Sequence, residues 1–168
     1  MTEPCTYIIF GATGNLSRLK LMPALYHLEV EGRLPEGTMI MPIGRRPLDE
    51  QSWVNELRDM LASKARGGLN EEVFERFSKR MQYHRGDLTK EELYQAIRQT
   101  IDTDARFSKN CAIYMALQPA QFGTVIEQLA SAELLDETHG WRRIIIEKPF
   151  GRDLETARMA VQASLTGH

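Results

Sequence analysis

With 168 residues the chain accommodates one domain, or one domain and a fragment of another, with enough mass to bury a core. Its 42% hydrophobic and 26% charged residues are ordinary for a globular protein in water, and a net charge of -2 leaves no basic footprint for nucleic acid. The apolar runs are far too short to span a bilayer, Met1-Thr2-Glu3-Pro4 lacks a signal-peptide core, and Cys5 and Cys111 show no metal-ligand spacing; a cytoplasmic protein with free thiols, no membrane partner and no bound metal is expected.

The first element is a strand, Tyr7-Ile8-Ile9-Phe10, an apolar run of strand formers. It runs into Gly11-Ala12-Thr13-Gly14-Asn15-Leu16, with two glycines three apart. Leu21, Ala24, Leu25 and Leu28 then mark the i, i+3, i+4, i+7 stripe of a helix. Strand, glycine turn and helix together make a cradle for a pyrophosphate. Glycines let backbone N–H groups approach the phosphates, and the helix N-terminus adds partial positive charge. The pattern is G-x-x-G rather than G-x-G-x-x-G, with Ser17 where a third glycine could sit. Taken alone, it is as compatible with a plain tight turn as with a nucleotide site. Pro23 inside the helical pattern implies a kink, or a helix start near Met22 with residues 15–21 as an irregular lead-in.

A second strand is expected over Thr38–Ile43, ending in the basic turn Gly44-Arg45-Arg46-Pro47, and Pro42 confines its tail to an edge or a strand end. Asp49 can cap a helix with the stripe Trp53, Leu57, Met60 and Leu61, closed by Gly67-Gly68. Asn70 caps a short helix with Val73, Phe74 and Phe77 on one face, and Met81–Arg85 reads as a third strand. Thr89 and Glu92 have the spacing of a capping box for a helix carrying Leu93, Ile97 and Ile101. Cys111–Leu117 is an apolar strand, buried on both faces. Pro119 suits the first turn of a helix with Phe122, Val125, Ile126 and Leu129. Arg143–Glu147 reads as another buried strand, followed by Lys148-Pro149-Phe150-Gly151 and a last helix capped by Asp153, with Leu154, Ala157, Val161 and Leu165. Strands alternating with helices imply an α/β fold with a doubly wound parallel sheet, a Rossmann-like dinucleotide-binding domain over residues 1–168.

In such a fold the end of the second strand faces the adenine ribose, where Asp or Glu accepts from a 2′-hydroxyl and Arg pairs with a 2′-phosphate. That position is Gly44-Arg45-Arg46, with no carboxylate at the strand end, so the turn is either an NADP clamp or a solvated basic turn. Leu117-Gln118-Pro119 and Lys148-Pro149 also stand at C-terminal strand ends, where open sheets bind ligands. Lys20 follows the glycine loop and either points over the cleft or is a surface lysine. His27, His84, His139 and His168 are scattered, without a carboxylate partner at a strand end, and read as structural.

These residues together resemble the coenzyme domain of the glucose-6-phosphate dehydrogenase family. Phe10-Gly11-Ala12-Thr13-Gly14-Asn15-Leu16, with Arg18, Lys20, Leu21, Pro23 and Leu25-Tyr26, is similar to the family's G-A-S-G-D-L loop and K-L-x-P-x-L-Y continuation. Glu147-Lys148-Pro149-Phe150-Gly151 matches its E-K-P-F-G signature, and Tyr114-Met115-Ala116-Leu117-Gln118-Pro119 resembles its Y-x-A-x-P-P strand end. The likeness spans essentially the whole chain. It implies oxidation of glucose 6-phosphate at C1 to the lactone, with hydride passed to NADP+. It implies that the backbone of Gly11, Ala12, Thr13, Gly14, Asn15 and Leu16 holds the pyrophosphate, and that Arg45 binds the 2′-phosphate with Arg46 beside it. Ala116, Leu117, Gln118 and Lys148 then line the rest of the cofactor, and Lys20 and Lys148 the substrate side. Asn15 replaces the family's usual Asp, and Gln118 the first proline of its pair. The family's catalytic His lies in an R-I-D-H-Y-L-G-K segment that falls beyond His168, so no catalytic base is expected here. The resemblance therefore implies the N-terminal part of a longer, homo-oligomeric enzyme, with the isolated chain binding coenzyme but inactive. An extended short-chain epimerase or reductase is the alternative enzyme, but it needs Tyr-x-x-x-Lys, and none of the tyrosines has Lys four residues on. A nucleotide-sensing module is the non-enzymatic alternative.

Overall fold

The computed structural model describes residues 3–63 and 68–146. The expected Lys148-Pro149 turn, the helix capped by Asp153 and Gly67 lie outside the described residues. Strands β1 (Thr6–Phe10), β2 (Met39–Gly44), β3 (His84–Arg85), β4 (Cys111–Met115) and β5 (Arg142–Ile145) form one parallel sheet in the order β3-β2-β1-β4-β5. Helices α1 (Met22–Val30), α2 (Glu50–Ala62) and α3 (Glu71–Lys79) cover one face. Helices α4 (Glu91–Thr103) and α5 (Pro119–Ser131) cover the other. The order reverses at β1, as a doubly wound α/β sheet requires, so the C-terminal ends of β1, β2 and β4 open a crevice between them.

Strand alternation sorts the core. Ile8 and Phe10 point into the layer under α4 and α5 with Met41, Ile43, Ile113 and Met115. Ile9 and Ile40 point the other way, onto Leu25, Trp53, Leu57 and Phe77. The stripes expected for α2, α3 and α5 face these layers, except that Phe122 is only partly buried. Asp49 caps α2 by accepting from the Ser52 N–H at 2.7 Å, and Asn70 caps α3 by accepting from Glu72 and Val73.

Several local expectations change. The first helix runs from Asn15 without a break, but its turn Ser17–Leu21 is π-helical, closed by the Met22 N–H to the Ser17 carbonyl. The extra residue in that turn rotates the remainder of the helix: Ala24 is exposed, while Met22 and Tyr26 join Leu21 and Leu25 in the core. Pro23 sits at the junction of this π-helical turn with α1, where it supplies no N–H to the continuous helix. The third strand shrinks to His84–Arg85 plus a bridge between Ile40 and Met81. Ile40 donates to the Arg80 carbonyl and accepts from Gln82; two residues on, Pro42 has no N–H to continue the ladder on that side. So β2 lies inside the sheet, with its proline at a gap rather than on an edge. The Thr89–Glu92 capping box does not form: the N–H and hydroxyl of Thr89 both donate to Asp87, and Lys90 becomes the cap. A nearer carboxylate takes the donors first, and Glu91 and Glu92 meet the positive helix end instead. β5 is an edge strand in the described sheet, half-exposed rather than buried on both faces.

Candidate functional site

The glycine loop follows β1 at the C-terminal edge of the sheet. The N–H groups of Gly11 and Ala12 both donate to the Ile43 carbonyl, at 3.1 and 3.0 Å, which stitches the loop to the end of β2. Gly11 has φ +81°, and a Cβ built there would lie 2.2 Å from the Ala116 carbonyl oxygen. No other residue type lets β1 turn this close to the end of β4. The Gly14 N–H closes the turn on the Gly11 carbonyl at 3.0 Å, and the Arg18 N–H bonds the Gly14 carbonyl at the same distance. The helix thus begins directly at the loop, with its first-turn N–H groups facing the crevice end of the sheet. Ser17 is fully buried and its hydroxyl has no partner among the described residues, so its smallness brings helix and strand together.

Ala12 and Ala116 are buried in the core, so only their backbones can face a ligand. Thr13 and Leu16 are half-buried, Leu117 likewise, and Gly14, Asn15 and Gln118 are exposed at the rim. Lys20 is exposed on the π-helical turn. Lys148 lies outside the described residues. Gln118 caps α5, with its N–H donating to Gln121 Oε1 at 3.2 Å.

The two arginines of the basic turn part company. Arg45 turns toward α4 and lines a cleft of about 530 Å³ with Arg85, Gly86, Asp87, Lys90 and Leu93. Hydrogen bonds from Thr89 hold the Asp87 carboxyl below the usual carboxylate range, and the charges of Lys90 and Arg45 add to that. Arg46 turns to the opposite face, where Glu56 of α2 takes it at 2.7 Å. The same carboxylate takes Arg18, one turn past the glycine loop, at 3.0 Å. Burial pushes the Glu56 carboxyl up, but the hydrogen bonds of Arg46 and Arg18 outweigh it and hold it below its ordinary value. The sequence places no carboxylate at this strand end; tertiary folding supplies one from ten residues farther along.

Gly44 is more than part of the basic turn that its sequence context suggests: it is a packing glycine. A Cβ there would lie 2.6 Å from the Tyr83 hydroxyl and 3.4 Å from Thr13. Tyr83 donates to the Arg46 carbonyl at 2.8 Å and stacks on Trp53 with ring centres 5.3 Å apart, which sets the path of the basic turn. The signal in the sequence, a glycine closing an apolar strand before two arginines, is present but has no distinctive spacing. Of the histidines, His84 is half-buried and burial pushes its pKa down, while His27 and His139 are exposed.

A family model described as glucose-6-phosphate dehydrogenase, NAD binding domain, matches residues 8–167. Glucose-6-phosphate 1-dehydrogenase of Chlamydia pneumoniae is 35% identical over 166 residues, covering 95% of this chain and 32% of the relative. The enzyme of that name from Bacillus subtilis (strain 168) is 34% identical over 155 residues, covering 90% of this chain and 30% of the relative. Among solved structures, glucose-6-phosphate 1-dehydrogenase from Mycobacterium avium superposes with a TM-score of 0.78 at 30% identity, over 98% of this chain and 34% of that one. A glucose-6-phosphate dehydrogenase in complex with its substrate glucose-6-phosphate superposes with a TM-score of 0.76 at 31% identity, over 97% of this chain and 34% of that one. The chain therefore spans about a third of the length of the curated relatives it matches.

Proposed function

The chain belongs to the family of glucose-6-phosphate dehydrogenase NAD-binding domains, and from that premise we propose that it holds NADP within a longer enzyme that oxidises glucose 6-phosphate. The observation that carries the choice of NADP is Arg45. It stands exposed at the end of β2, in a cleft whose other cations are Arg85 and Lys90, one strand from the glycine loop. A guanidinium in that place suits a 2′-phosphate through paired, charge-assisted hydrogen bonds.

The glycine cradle fits the rest of a dinucleotide. The close approach of Gly11 to Ala116 keeps any side chain of residue 11 out of the crevice between β1 and β4, where the Leu117 side chain also comes near. The backbone from Gly11 to Leu16 would hold the pyrophosphate at the start of the helix. Ala116, Leu117 and Gln118, at the end of β4, would flank the nicotinamide half. When bound, the coenzyme supplies the ring carbon that accepts hydride from C1 of the sugar. Lys20 and Lys148 would serve the substrate side as point charges. Neither lysine replaces the base that takes the C1 hydroxyl proton. That base would lie outside these 168 residues, in the longer enzyme proposed. The two buried thiols, Cys5 and Cys111, suit a reducing compartment such as the cytoplasm.

Titration of NADP+ and NAD+ against the chain and its Arg45→Ala variant tests the reading. NADP+ affinity should fall about 10- to 100-fold, the worth of a lost hydrogen-bonded charge pair, with NAD+ within about twofold. Equal NADP+ affinity in both proteins would refute the assignment of Arg45.

A further inference from the structure

The basic turn carries two guanidiniums, yet only one is free to meet a ligand. Arg45 and Arg46 are neighbours in sequence and splay to opposite faces of the sheet. Arg46 is held by a carboxylate that is itself doubly committed, one oxygen to Arg46 and the other to Arg18. Glu56 is well placed to hold its ground. It rides on α2, which Trp53, Leu57, Met60 and Leu61 fix against the sheet, and its side chain is only 21% exposed. Arg46 is less constrained, with 52% of its side chain exposed. Its backbone is pinned, since the Arg46 carbonyl accepts from Tyr83 Oη and from the Leu48 N–H. Only the side chain is therefore free to turn if the carboxylate lets go.

We propose that Glu56 is a positioning residue that sets how strongly this domain prefers NADP over NAD: it keeps Arg46 turned away from the 2′-phosphate and leaves that group to Arg45 alone. The inference rests on the dinucleotide reading above and adds a restraint to it. Arg18, Arg46 and Glu56 carry one net positive charge as a group. Removing the carboxylate charge raises it to two and releases a long, planar donor one residue from Arg45. A 2′-phosphate, with nearly two negative charges, gains from that change, whereas a 2′-hydroxyl gains almost nothing.

The test uses the 168-residue chain. Glu56→Gln keeps the shape and removes the charge; Arg46→Ala removes the held partner; the third protein combines them. Each is titrated with NADP+ and NAD+ at low and high salt, after circular dichroism has checked the fold. In Glu56→Gln, NADP+ should bind about three- to tenfold more tightly, with NAD+ within about twofold and a steeper salt dependence. Arg46→Ala should leave NADP+ within about twofold of wild type, and in the double variant the gain should vanish. A Glu56→Gln that weakens NADP+, or moves both coenzymes equally, would make Glu56 a structural brace and overturn the proposal. So would a gain that survives loss of Arg46. Should Glu56→Gln fail to fold, Arg46→Ala decides alone: a loss of NADP+ affinity beyond about fivefold would mean that Arg46 already binds the phosphate. If wild type binds neither dinucleotide, the functional reading fails and this one with it; if wild type binds NADP+ and the ratio is unmoved in Glu56→Gln, this one fails alone.

Discussion

Replacing Gly11 with alanine should damage both the fold and the coenzyme site, and Gly14→Ala should do so far less. The two glycines look equivalent in the loop but occupy different conformations. Gly11 has φ +81°, and its Cβ would meet the Ala116 oxygen at 2.2 Å, the Ala116 carbonyl carbon at 3.0 Å and Leu117 Cδ2 at 2.9 Å. The left-handed backbone costs an L-residue about 1–2 kcal/mol. Forcing a methyl against a backbone that is hydrogen-bonded to β1 adds about 1–3 kcal/mol. The Ala116 N–H is bonded to the Phe10 carbonyl at 3.0 Å, so the end of β4 cannot retreat without breaking the ladder. A loss of about 3 kcal/mol lowers Tm by about 6–12 °C in a domain of this size. At Gly14 the only close neighbour of a Cβ among the described residues is the Gly11 oxygen at 3.3 Å, which a small shift relieves; the loss there should stay below about 1 kcal/mol. Thermal unfolding followed by circular dichroism, together with NADP+ titration, reads both effects. A Gly11→Ala melting within about 2 °C of wild type, or a Gly14→Ala just as damaged, would refute the argument from close approach.

Packing and burial set three other outcomes. Arg80→Met should lower stability by about 3–5 kcal/mol in denaturant titrations, because the buried Glu29 loses its partner. The Arg80 guanidinium holds Glu29 at 2.6 Å and also donates to the carbonyls of Leu34, Pro35 and Thr38. Lys79→Ala breaks only an exposed pair with Glu75 and should leave the midpoint in place. Asp49→Asn should flatten the acid side of the stability profile. Hydrogen bonds from Ser52 hold the Asp49 carboxyl below its ordinary value, so its contribution is present above the unfolded value and is lost as pH falls through the folded one. Superimposable melting curves for wild type and variant across the acid range would remove Asp49 from that account. Burial raises the Cys5 thiol and pushes Cys111 up to about 11, so iodoacetamide at neutral pH should label neither cysteine until the chain unfolds; labelling of the native protein, read by mass spectrometry, would contradict their burial.

Much of the architecture lies in local pattern. The stripes of α2 and α3, the caps Asp49 and Asn70 and the proline at the start of α5 are each set by residues within a turn or two of one another, so reading along the chain is enough to find them. The alternation of strand and helix, with right-handed crossovers, then leads to a doubly wound sheet. Where the chain must choose between competing local partners, pattern alone fails: Asp87 takes the donors of Thr89, and the π-turn before Met22 moves the buried stripe by a residue. Contacts between distant segments are beyond it altogether. The need for glycine at position 11 comes from Ala116, and that at position 44 from Tyr83 and Thr13. The basic turn shows the same division. Two adjacent arginines are visible in the sequence, but their separation is decided beyond the end of β2, by the turn that Tyr83 holds through the Arg46 carbonyl and by Glu56, which packing on α2 delivers to one of them.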